Sequence, residues 1–165
     1  MDRQAAHALA RERCLKETTV RHLISVEGVM RALARRFDQD HTGDDAENHA
    51  RLAEGWLSEA GVDERVINGV LAHAWPEYRT DLMSKAVVHA DAVAGLLVAS
   101  ALVRPERSAG MKVSSVKKKL KEKAFAPGVN REEVTGVEEA IGLPLDEFLA
   151  VSIEGFQQVA PEIEL

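Results

Sequence analysis

Apolar residues recur at three- and four-residue spacing along most of the chain, the period of a helix and not of a strand. Residues 2–16 are rich in Ala, Leu, Arg and Glu, all good helix formers. Val20, Leu23, Ile24, Val29, Met30, Leu33 and Phe37 form an apolar stripe on a second predicted helix, with Thr18 or Thr19 as its cap. A polar stretch from Asp38 to Asp45, punctuated by Gly43, breaks the pattern. Helical periodicity returns over residues 46–60 and stops at Gly61. Asp63 then caps a helix carrying Val66, Ile67, Val70 and Leu71, and Pro76 ends it.

A long helix is expected from Thr80. Residues 86–103 read AVVHADAVAGLLVASALV, with Asp91 as the only charged residue. Eighteen residues reach the lower edge of a membrane span. The interior Asp and His point instead to a buried central helix, which Pro105 ends. Ser114 or Ser115 caps the basic helix VKKKLKEKAF, and Asn130 with Glu133 forms an Asn variant of the capping box opening residues 131–141. Gly142 stops that helix, and Pro144 precedes a last one running to Ala160. No internal repeat and no strand alternation occur. The expectation is an all-α, compact single-domain bundle over residues 1–165, built of roughly seven to eight helices. Residues 1–105 supply its core helices and 106–165 its charged faces.

Composition supports a globular chain. Of 165 residues, 45% are hydrophobic and 29% charged, which argues against wholesale disorder. A single cysteine, Cys14, and no signal-peptide pattern at the start point to a reducing, cytoplasmic compartment. The net charge is −6, but it is unevenly spread. Residues 112–123 hold six lysines and one glutamate, whereas residues 132–165 hold nine acids and no Lys or Arg. Solvated helix faces explain both runs. The functional alternative is that Lys117, Lys118, Lys119 or Lys121 meets a phosphate. An acidic total and 4% aromatic content argue against nucleic acid as the partner.

Asp91 is the strongest single signal, because a carboxylate in an apolar helix is costly unless a cation, a metal or hydrogen-bond donors neutralise it. A structural Asp satisfied by a neighbouring histidine is the equal alternative. His22 shares an inward face with Val26, Val29 and Leu33, the usual place of a satisfied core histidine. His49 shares a face with Leu52 and Trp56, and His73 closes its helix. Three histidines and an Asp on four different helices form a donor set suited to a divalent transition metal. His7, His41 and His89 lack comparable support, and Cys14 has no activating base. Glycine-rich phosphate loops, nucleophile elbows and CxxC pairs are absent.

The order of these residues resembles the HD-domain superfamily of all-α, metal-dependent phosphohydrolases. The likeness rests on RHLISVEGVMRALARRF (21–37), DDAENHARLAEGWL (44–57), VLAHAW (70–75) and KAVVHADAVAGLLVASALVRP (85–105), and on the tail VSSVKKKLKEKAFAPGVNREEV (113–134). It implies a divalent metal (Mn, Fe, Co, Ni, Zn or Mg) held by His22 and Asp91, with His49 and His73 touching phosphate or a further metal. The substrate implied is a nucleotide or another small phosphate ester, not a membrane or nucleic acid, and a homo-oligomer stays open. One departure is plain: the adjacent His-Asp pair that names the superfamily is missing. Only DQDHTG lies between Phe37 and Asp44, too short for the helix that carries the pair. Two remaining ligands fall short of the three that catalytic metal sites use. The alternative implied is a catalytically inactive module of the same fold that binds a phosphate-containing ligand or a protein.

Overall fold

A computed structural model describes residues 2–13, 16–37 and 50–165, and within these the chain forms nine α-helices and two short 3-10 turns. The helices are α1 (Arg3–Arg13), α2 (Glu17–Arg36), α3 (Ala50–Glu59), α4 (Glu64–Ala74), α5 (Leu82–Leu102), α6 (Val113–Lys121), α7 (Arg131–Thr135), α8 (Val137–Ile141) and α9 (Leu145–Val159). The 3-10 turns are Pro76–Tyr78 and Ala160–Ile163. The all-α expectation holds. Cys14 and the polar stretch 38–49, with Asp40, His41 and His49, lie outside the described residues.

α5 is the axis of the bundle, packing against α2, α4, α6, α7, α8 and α9. Its apolar sequence has the length and composition of a membrane span, yet 56% of its most apolar 18-residue window is buried among those neighbours. Val93, Ala94, Leu96 and Leu97 on α5 meet Leu33 of α2, Val116 of α6 and Phe148 and Phe156 of α9 in the main core. A smaller cluster joins Leu57 of α3 to Ile67 and Leu71 of α4, with Trp75 and Tyr78 packed against it.

α2 and α9 run antiparallel. Arg21 reaches Glu164, Gly28 faces Gly155, and Arg36 reaches Glu147. At the crossing the backbones touch: a Cβ on Gly155 would lie 2.1 Å from the Gly28 carbonyl oxygen, and one on Gly28 would lie 2.6 Å from that of Gly155. Only paired glycines permit so close an approach.

Several helix ends follow from the sequence. Asp63 accepts a hydrogen bond from the Arg65 N–H, Asn130 accepts from the N–H groups of Glu132 and Glu133, and Gly142 takes the left-handed conformation with φ 71°. Others differ. α2 begins at Glu17, so Thr18 and Thr19 lie in its first turn, and Ser114 and Ser115 likewise fall inside α6. Burial of Val20 and Val116 draws each helix back past the polar residue expected to cap it. α5 opens at Leu82, where Asp81 and Ser84 form a reciprocal capping box. The single helix expected over 131–141 divides into α7 and α8 at Gly136, where the Thr135 hydroxyl bonds back to the carbonyls of Arg131 and Glu132. Arg131 gathers the preceding loop, donating to the carbonyls of Leu120, Glu122, Phe125, Ala126 and Val129.

Two stability experiments follow. Gly155→Ala or Gly28→Ala overpacks the α2–α9 crossing and costs about 1–3 kcal/mol. Gly69→Ala in α4, where an added methyl meets nothing within 4 Å, gains about 0.5–1 kcal/mol. Urea midpoints should therefore move in opposite directions. At the start of α5, the Ser84 backbone N–H holds the Asp81 carboxyl below its ordinary value. Asp81→Ala lowers stability by about 1 kcal/mol at neutral pH. Because the folded value is depressed, that difference is intact above the ordinary aspartate range and fades as the pH falls through the folded value, which denaturation in acid would record.

Candidate functional site

α5 places Asp91 at its centre, with a side chain only 18% exposed. The Asp91 Oδ1 lies 2.6 Å from the Nε2 of His22 on α2, and its Oδ2 lies 3.7 Å from the Nδ1 of His73 in the last turn of α4. An ionised carboxylate can only accept, so the His22 Nε2–H donates, a short charge-assisted bond. The longer contact to His73 lies in the ion-pair range and beyond a hydrogen bond. His22 is 29% exposed and His73 39%, so the group opens toward solvent on its histidine side. Three helices that are distant in sequence thus deliver two imidazoles to one carboxylate.

Of the sequence candidates, His22, His73 and Asp91 come together. His49 lies outside the described residues. The lysines engage elsewhere. Lys117 binds Asp146 of α9 at 2.6 Å, and Lys119 binds Glu122 at 3.1 Å with its Nζ 4.4 Å from the centre of the Phe125 ring. Lys118 and Lys121 are exposed on α6, which packs on α5 and α9.

Donor chemistry suits a divalent metal, since two imidazoles and a carboxylate are what first-row transition ions take. Geometry is close without being closed. A tetrahedral cation with bonds of ~2.1 Å holds adjacent ligand atoms about 3.4 Å apart, well above the 2.6 Å that separates His22 from Asp91 in direct contact. Among the described residues no group of three or more His, Cys, Asp or Glu is arranged as a ready metal cage.

Sequence reasoning passed over two buried polar groups. Glu27 of α2 is only 3% exposed. Its carboxylate accepts from Arg3 Nε at 2.5 Å and Nη2 at 3.2 Å, and pairs with His7 Nε2 at 2.7 Å. Arg3 also binds both oxygens of Glu162 at 2.9 Å, which joins α1 to α2 and the end of the chain. The hydrogen bond to Glu27, against desolvation and with Glu162 assisting, holds the Arg3 guanidinium protonated more firmly than usual. The signal was present: Glu27 stands four residues after Leu23 and three before Met30 on the apolar stripe, and Arg3 and His7 share one helix face. His89, 7% exposed, is the second group. Its Nδ1–H donates to the Glu133 backbone carbonyl, and its ring meets Phe148 edge-to-face at 6.4 Å. As the two-residue spacing predicts, it points away from Asp91.

The chain matches no known protein family, no curated protein and no solved structure.

Glu27→Ala strands Arg3 and His7 and should lower stability by about 1–3 kcal/mol. Amide hydrogen exchange should localise the loss to α1, whose hold on α2 depends on this cluster. An unchanged urea midpoint would mean that the cluster is worth no more than exposed ion pairs.

Proposed function

We propose that this chain is a metal-dependent phosphohydrolase domain of the HD type, with His22, Asp91 and His73 as the protein ligands of a divalent cation. One observation carries the reading: His22 and His73 converge on Asp91 from two other helices. With His73, which the resemblance gives to phosphate or a further metal, as a third ligand, the count would rise from two to the three that catalytic metal sites use.

A divalent cation held by His22, Asp91 and His73 would supply a water acidic enough to act as nucleophile near neutral pH and would polarise a phosphoryl oxygen. The chain's own groups do the rest. Asp91 brings negative charge to a partly covered position on α5 that opens toward solvent on its histidine side. α2 orients the His22 ring toward it. The half-exposed His73 edges the side on which a small phosphate ester has access.

A second reading has its own support, because the direct 2.6 Å bond between His22 and Asp91 also suits a structural pair in a non-catalytic module. Metal binding separates the two. Equilibrium dialysis with Mn2+ or Co2+ should show one equivalent bound, and the loaded chain should hydrolyse p-nitrophenyl phosphate or nucleoside monophosphates. Asp91→Asn should reduce metal affinity by more than the ~10–100-fold that outer-shell partners are worth, and chelation should stop turnover. A folded chain that binds none of Mn2+, Co2+, Ni2+ or Mg2+ would leave the non-catalytic module.

A further inference from the structure

On the side of α5 away from Asp91, a cleft of about 390 Å3 opens between α5, α7 and α8. Its size lies in the range of small-molecule sites. The polar lining comes from Arg79, Lys85, His89, Asn130, Glu132 and Glu133. Two cations, Arg79 and Lys85 in the first turn of α5, and two acidic residues, Glu132 and Glu133 of α7, thus line the same cleft. No ion pair among the described residues uses any of the four. Opposite charges facing a shared cleft without meeting leave room for a molecule that carries both signs.

We propose that this cleft is a second binding site, separate from the His22–Asp91–His73 group, for a small zwitterion with a carboxylate or phosphate at one end and an ammonium at the other. Arg79 and Lys85 take the anionic end, and Glu132 and Glu133 take the ammonium. Arg79 is already oriented, because its Nε donates to the Ala72 carbonyl at 2.9 Å and frees the rest of its fork for a ligand. His89 sits at the base, more than nine-tenths buried. With Nδ1 committed to the Glu133 carbonyl, Nε2 is the polar ring atom that remains for the ligand. Buried polar atoms that line a cleft and fix orientation are the mark of small-molecule sites. The site does not depend on metal at Asp91, so its test stands apart from the phosphohydrolase reading.

Amide NMR of the whole 15N-labelled chain, titrated with phosphoethanolamine, β-alanine and L-serine, tests the proposal. Acetate, ethylamine and inorganic phosphate serve as half-molecule controls. At least one zwitterion should shift the amides of Lys85, Val88, His89 and Glu133 and bind about tenfold more tightly than any control. Lys85→Ala and Glu132→Gln alter exposed side chains, so the fold is kept, and each should weaken that binding by about tenfold. The proposal fails if no zwitterion shifts those amides. It fails equally if inorganic phosphate alone binds as tightly, or if neither variant changes the affinity.

Discussion

Enclosing a carboxylate within the most apolar helix of the chain is the constraint around which the bundle is arranged. α5 has too little polar surface to face water, so its neighbours cover it. Once covered, Asp91 needs donors, since an unpaired buried carboxylate costs several kcal/mol or more. α2 supplies one as His22, and α4 sets His73 at ion-pair range on the other oxygen. The same contact therefore satisfies a folding requirement and assembles the group with the most chemical potential.

A second set of polar contacts fastens the ends of the chain to this core. Arg3 links Glu27 to Glu162, Arg21 reaches Glu164, and the Ser108 hydroxyl donates to the Leu165 carbonyl. Beneath them, Gly28 and Gly155 set the distance between α2 and α9. The ion pairs select the register, while backbone contact and apolar burial supply most of the stability, because exposed pairs contribute little each. Buried Glu27 differs, as Arg3, His7 and Arg31, the last at 3.8 Å, surround a charge that otherwise could not stay inside.

The basic run on α6 and the acidic residues of α7 have different fates. Lys117 and Lys119 are spent on Asp146 and Glu122, which favours a solvated face stitched to its neighbours. The acids of α7 enter no ion pair among the described residues, and they line one cleft together with Arg79 and Lys85. α5 consequently carries two polar faces, His89 toward α7 and Asp91 toward α2 and α4.

Helix content, most breaks and the inward position of Asp91 were legible in the sequence because each depends on local periodicity and on residues such as Asp63, Asn130 and Gly142. Cap positions at Thr18 and Ser114 were not, since burial of neighbouring apolar residues overrode the local preference. Partnership was beyond the sequence altogether. Nothing local relates His22 to Asp91 across 69 residues, or Arg3 to Glu162 across 159. The sequence by itself determined the helices and the inward turn of Asp91, because a period of 3.6 residues sorts side chains onto faces. Only the tertiary structure decided which inward groups meet, because that depends on how helices cross, and the crossing is set by glycines and core side chains far away along the chain.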